Sequence, residues 1–296
     1  MKRVLTAAVL IPLVLLAVLR APNWLFSLLV AAVALLALSE YFDITAGYGV
    51  EPFRFVGYLL TGTLFAIVFW AGISQPSPTV VLSALIFVFA LSPFILLAVA
   101  MPRSDLRSGL PAASFSFLGI VYVGFSLVTL VFLRMMPAGW FFVLFTFFAV
   151  WAGDTFAYYV GRAFGKIPFS PRISPKKTWE GAIASALGSI LFGLLLTRFA
   201  QQIASGLSSI HLLPYPASFA HPPLWIPAFV ALGINVVAQL GDLLESLMKR
   251  GAQIKDSGHL LPGHGGILDR IDALLFAAPM ALILFGGMVE KFLQMP

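Results

Sequence analysis

The chain has 296 residues, 60% of them hydrophobic and only 10% charged, with 28 phenylalanines and a formal net charge of +6. A soluble domain of this length needs a polar shell of roughly a quarter charged residues, which this composition cannot build, so lipid must cover much of the surface. The absence of cysteine excludes disulfides, thiol nucleophiles and thiolate metal centres, and four scattered histidines argue against a zinc cluster.

Taken in chain order, apolar runs long enough to cross a bilayer predict spans at about Val4 to Leu19, Trp24 to Ala46, Phe53 to Ser74, Thr79 to Met101, Pro111 to Leu133, Ala138 to Val160, Gly181 to Ala200, Trp225 to Met248 and Ala273 to Val289. The fold class is therefore all-α: a polytopic integral membrane protein of about nine transmembrane helices, one transmembrane domain over 1–296. Residues 1–137 read as helices for packing. Residues 138–296 read as the catalytic part, with polar loops at 161–180 and 249–272. The first span follows Lys2 and Arg3 as a signal peptide would, but no small-residue cleavage site precedes the next apolar run. It reads as a retained helix, with a cleaved signal as the alternative.

Proline and glycine punctuate the connectors, at Pro22, Gly47, Gly49, Pro76, Pro78, Pro102 and Pro137. With the first terminus inside, one face receives Lys2, Arg3, Arg54, Arg103, Arg107, Arg162, Lys166, Arg172, Lys176, Lys177, Lys249, Arg250, Lys255 and Arg270. The other receives Arg20, Arg134, Arg198 and Lys291. The positive-inside rule then places the polar loops on the cytoplasmic side of the membrane. Basic residues confined to short loops point to membrane lipids or an anionic lipid substrate as partners rather than nucleic acid. The outward stretch Gln201 to Leu224 has no lysine or arginine, and His211 and His221 read there as interfacial loop residues.

The polar residues concentrate in two segments. In the first, Asp154 falls late in an apolar span, where an ionised carboxylate is normally paired, metal-bound or open to a polar cavity; a structural bond to nearby loop backbone is the alternative. Beyond Gly161, Arg162, Gly165 and Lys166, the run Ser174, Pro175, Lys176, Lys177, Thr178, Trp179, Glu180 opens the next span. Two lysines, a hydroxyl and a helix start suit phosphate. Membrane-surface anchoring is the plainer reading for Trp179 and the alternative for Lys176 and Lys177, and a helix-charge role is equally open for Glu180. No Walker A pattern is present.

The second segment is denser. Asp242, Glu245 and Lys249 follow spacings of three and four, with Ser246 on the same side of the helix. Lys255, Asp256, His259 and His264 follow, within the run Pro262, Gly263, Gly265, Gly266, and then Asp269, Arg270 and Asp272. Glycines permit close backbone approach to an anion, and carboxylates offer hard oxygens to magnesium. Glu40 and Asp43 form a third acidic island that either supports the site or bonds locally to helix ends.

The second segment resembles the signature of the bacterial phosphatidate cytidylyltransferase family, from Ser246 through Lys249, Arg250, Lys255 and Asp256 to Pro262, Gly263, His264, Gly265, Gly266, Asp269, Arg270 and Asp272. The stretch around Asp154, Gly161, Gly165 and Ser174 to Gly181 is similar to the same family. The resemblance implies transfer of the cytidylyl group from CTP to phosphatidic acid with release of pyrophosphate, dependence on Mg2+, a paired-metal arrangement at Asp242 and Asp269 with K+ as the possible second cation, and a homodimer.

On this basis Asp242 and Asp269, assisted by Asp256, are expected to hold magnesium. Asp242, Lys249, Arg250, Lys255, Asp256, His264, Asp269 and Arg270 are the expected catalytic set. Asp154, Ser174, Lys176, Lys177, Thr178, Glu180, Ser246, Gly265 and Gly266 are the expected substrate-binding set. A phosphate oxygen of the acceptor already carries charge, so no protein nucleophile is required. An isoprenoid phosphate acceptor is the alternative within this chemistry, and a membrane transporter is the alternative outside it.

Overall fold

The computed structural model describes residues 2–213, 218–260 and 265–293. In order these form helices α1 (Lys2–Arg20), α2 (Asn23–Ala46), α3 (Arg54–Ser74), α4 (Pro78–Ala100), α5 (Leu106–Gly119), a π-helical segment (Ile120–Phe125) and α6 (Ser126–Met135). They continue with α7 (Gly139–Phe164), strands β1 (Pro168–Ser170) and β2 (Ser174–Thr178), α8 (Trp179–Arg198), α9 (Ala200–Ser209), α10 (Trp225–Gly251), α11 (Leu268–Gly286) and α12 (Val289–Phe292). A helix forms over every expected span. Among the described residues, seven segments are long and apolar enough to cross a membrane, from Asn23–Ala46 through Trp225–Gly251. The protein is thus an α-helical, multi-pass membrane protein.

Local chemistry sets the helix ends. Pro22 stands in extended conformation before α2, Pro78 opens α4, and the Asp105 side chain caps α5 by accepting from the Arg107 N–H. The fifth expected span is a continuous 30-residue helix whose middle turn widens to π geometry at Ile120–Phe125.

Two stretches expected to be irregular are ordered. Part of the polar loop 161–180 folds into an antiparallel hairpin, with Pro168 opposite Thr178 and Ser170 opposite Ser174. Part of the stretch 201–224 continues as α9, whose Ala200 and Ala204 are buried.

The chain divides into two compact units, one comprising Met1–Leu10, Ala21–Phe132 and Leu247–Ile271, the other Ile11–Arg20, Leu133–Ser246 and Asp272–Pro296. In the first, α2 is the central element. Leu38, Tyr41, Phe42 and Ile44 are fully buried, Tyr41 Oη donates to the Phe115 carbonyl at 3.1 Å, and the Phe42 ring lies edge-on to Tyr58. In the second, α7 packs along α8, and Phe141, Phe142, Phe145, Phe285 and Phe292 form an aromatic core in which the Phe142 and Phe285 rings are 4.5 Å apart. Rings at such separations add attraction beyond area burial.

Candidate active site

In the first unit, α2 holds the loop that follows α10. Tyr48 Oη donates to the Met248 carbonyl at 2.9 Å, and Gly47 packs against Ala252. Glu40, only 8% exposed, accepts at Oε1 from the Ile267 N–H (2.9 Å) and at Oε2 from the Leu268 N–H and Ser257 Oγ (2.8 Å each). A carboxylate at the start of α11 thereby satisfies backbone donors that a helix leaves unpaired. Of the two readings left open for Glu40, bonding to a helix end is the one these bonds to the start of α11 express, and the Ser257 bond ties the same carboxylate to the polar loop.

Asp269 lies in the first turn of α11 and is equally well held. Its Oδ1 accepts from Lys249 Nζ at 2.5 Å, and its Oδ2 accepts from the backbone N–H groups of Ser257 (3.0 Å) and Gly266 (2.9 Å). The Lys249 and Asp269 side chains are 11% and 7% exposed. Burial opposes ionisation of Asp269, but the Lys249 bond and the two backbone donors outweigh it and hold the carboxyl at about 2, below its ordinary 3.8. Asp269 is therefore a fixed anion.

Glycine makes this possible. Gly265 has φ +80°, and a Cβ there would come within 2.5 Å of Asp269 Oδ2; one on Gly266 would overlap Ser257 Oγ and the Glu40 carboxylate. In this structure the glycines let the backbone approach two carboxylates, and the Gly266 N–H is spent on Asp269. Arg250, Lys255, Asp256, His259 and Arg270 are exposed around this core. His264 lies outside the described residues, as do Pro262 and Gly263.

The second unit presents a different pair. Lys177, on β2, reaches Asp242, on α10, with Nζ 2.6 Å from Oδ2; the side chains are 29% and 37% exposed. Strand alternation turns Lys176 away from Lys177, and it is exposed. Thr178 and Glu180, expected to meet substrate, have structural partners. Thr178 Oγ1 caps α8 by accepting from the Gly181 N–H at 3.2 Å, and both Glu180 oxygens accept from the Ile167 N–H at 3.3 Å. The Trp179 N–H donates to the Ile167 carbonyl, and the Trp179 ring packs edge-on to Phe169. Ser174 begins β2 and is partly buried, as is Ser246 on α10, while Asp154 is exposed on α7.

Sequence reasoning missed a polar ladder that leads along α10 to Asp242. Asn235, 2% exposed, donates from Nδ2 to Ser185 Oγ and Ser189 Oγ of α8, each at 2.8 Å, and accepts at Oδ1 from Gln239 Nε2 at 2.6 Å. Ser189 Oγ donates onward to the Ala149 carbonyl of α7 at 2.6 Å. Directional bonds between apolar helices fix the rotation of α10 where packing alone is smooth. The signal was present, since Asn235, Gln239 and Asp242 follow helical spacings of four and three in an otherwise apolar run.

Among the described residues no three His, Asp or Glu side chains cluster as a ready-made metal cage. A small divalent cation does not need one, because magnesium is commonly held by one or two carboxylates with phosphate oxygens and water. The carboxylates fit that demand. Asp269 is held ionised, and Asp242 has Oδ2 on Lys177 while Oδ1 has no hydrogen-bond partner among the described residues.

Comparison with known proteins places these residues in context. A phosphatidate cytidylyltransferase of Brucella abortus is 41% identical over 184 residues, 62% of this chain and 59% of that protein. One from Staphylococcus epidermidis is 38% identical over 172 residues, 58% of each chain. One from Haemophilus influenzae is 39% identical over 143 residues, 48% of this chain and 44% of that protein. The chain thus aligns with less than two thirds of the length of these curated relatives. A model of the cytidylyltransferase family matches residues 1–287, which takes in helices α1 to α11 and both charged segments described above; the chain belongs to the cytidylyltransferase family.

Proposed function

We propose that the protein transfers the cytidylyl group of CTP to phosphatidic acid, giving CDP-diacylglycerol and pyrophosphate at the membrane surface. The observation that carries this reading is the buried, ionised Asp269 held by Lys249 and two backbone N–H groups inside a glycine-tight loop, with exposed Arg250, Lys255 and Arg270 around it. The names of the aligned relatives support the substrate pair. An oxygen of the phosphatidate phosphate forms a bond to the α-phosphorus of CTP as the bond to the pyrophosphate oxygen breaks, so both substrates are anions that must be held against repulsion.

The protein's part is positioning and charge. Lys249 and Lys177 hold Asp269 and Asp242 in place, while Arg250, Lys255, Arg270 and Lys176 are exposed and serve phosphate oxygens. The carboxylates proposed to hold magnesium are Asp269, Asp242 and Asp256, with potassium as a second cation. When bound, magnesium supplies neutralisation of the triphosphate charge. A homodimer in the bacterial inner membrane, with this chemistry on the cytoplasmic face and residues 138–296 as the catalytic part, completes the proposal.

The test is magnesium-dependent formation of labelled CDP-diacylglycerol from labelled CTP and phosphatidic acid by purified protein, beside an Asp269→Asn variant. Product from the parent and loss in a folded variant supports the reading. Product formed only with an isoprenoid phosphate moves the acceptor, and no product with either lipid overturns the proposal.

A further inference from the structure

At the end of α8 remote from the hairpin, the second unit contains a cavity of about 330 Å³ lined by Leu194, Arg198, His221, Pro222, Leu224 and Pro227, among others. Helix α8 has 20 residues, so this cavity lies roughly 30 Å along the helix from Trp179, about the thickness of the hydrocarbon layer. It lies at the other end of α8 from the hairpin that carries Lys177.

Three observations converge on its occupant. Arg198 is the only charged residue between Glu180 and Asp242, so its own segment supplies no carboxylate, and no ion pair to it occurs among the described residues. Thr197 also lines the cavity, but its hydroxyl donates to the Gly193 carbonyl at 2.9 Å; the rest of the wall is apolar and its prolines bring no N–H donor, which leaves Arg198 and His221 as the side chains suited to an anion. Finally, Ile183, Leu187, Leu191 and Leu195 recur every four residues along α8 and are 42–60% exposed. This stripe climbs the helix toward the cavity, where Phe199, Leu224 and Trp225 are also exposed, as side chains at a membrane interface are.

We propose that this cavity binds the phosphodiester headgroup of a glycerophospholipid, with an acyl chain laid along the α8 stripe. Arg198 offers the forked donors that suit a phosphate, and its position just beyond the apolar stripe matches a headgroup whose chain covers that stripe. The site is separate from the cytidylyl-transfer chemistry and does not depend on it.

The test uses the purified full chain in maltoside detergent and a phosphatidylglycerol carrying a diazirine near its glycerol end. The adducts are mapped by peptide mass spectrometry and compared with those of a diacylglycerol bearing the same diazirine. Labelling of residues 194–198 and 221–227 by the phospholipid, reduced about tenfold in Arg198→Gln, largely kept in Arg198→Lys and unchanged on the exposed face of α4, is the expected result. Equal labelling by diacylglycerol, full labelling of Arg198→Gln, or loss of labelling on adding inorganic phosphate would each overturn the proposal. Should Arg198→Gln fail to fold, the contrast between phospholipid and diacylglycerol on the parent decides alone.

Discussion

Two carboxylate–lysine pairs in this protein are built in opposite ways. Asp269 and Lys249 are largely buried, and both Asp269 oxygens are occupied by a lysine and two backbone donors, with Glu40 bracing the same loop. Asp242 and Lys177 are about one third exposed and joined by one contact. A buried pair becomes costly when one partner is removed, because the other is left as an uncompensated charge, whereas an exposed pair contributes little to stability. The first pair belongs to the architecture as well as to the proposed chemistry, and the second is free to exchange partners.

Asp269→Asn should therefore show the largest effect, combining loss of turnover by orders of magnitude with about 3–5 kcal/mol of destabilisation, read by thermal unfolding in detergent. Its pH dependence has a defined sign. Asp269 titrates near 2 when folded against 3.8 ordinarily, so its stabilisation is present above pH 3.8 and fades as pH falls toward 2. The stability gap between parent and variant should hold constant above about pH 5 and close below it. A gap that persists unchanged into strong acid would show that its charge is not what stabilises the loop.

Glu40→Gln comes next. It retains one acceptor but turns an amide NH2 toward backbone N–H and hydroxyl donors, at about 1–3 kcal/mol, and should reduce turnover without contacting substrate. Asn235→Leu should cost about 1–2 kcal/mol through loss of the bonds to Ser185, Ser189 and Gln239. If unfolding of that variant matched the parent, the ladder would not be what fixes α10.

Asp242→Asn should change stability least, within about 1 kcal/mol, while turnover and its magnesium dependence collapse. That split between intact folding and lost activity is the sharpest expression of the difference between the two pairs. A variant that lost both together would erase it.

Much of this was legible in the chain. The apolar runs announced the helices because a bilayer demands about twenty residues of one character, and the charge-poor background made Asp242, Lys249 and Asp269 conspicuous. What stayed hidden depends on contacts far apart in sequence. Glu40 meets Leu268 across more than two hundred positions, and no spacing rule connects them. Thr178 and Glu180 read by residue type as substrate-binding residues, with a helix-charge role equally open for Glu180, and residue type gives no sign that they also form a cap and a hairpin clasp. The hairpin escaped notice because Pro168, Pro171 and Pro175 suggest irregular backbone, and its two short strands are the minimum that can pair.

The π-helical turn at Ile120–Phe125 has a consequence for how the first unit tolerates changes in length. A π turn accommodates one residue more than the α-helix would hold, and here that turn presents Tyr122 to Tyr41, the neighbour of Glu40, and Gly124 to Thr61. Deleting one residue inside it would relax the turn to ordinary α geometry and leave both flanking faces in phase. The same deletion elsewhere in α5 or α6 would turn every later side chain by about 100° about the axis.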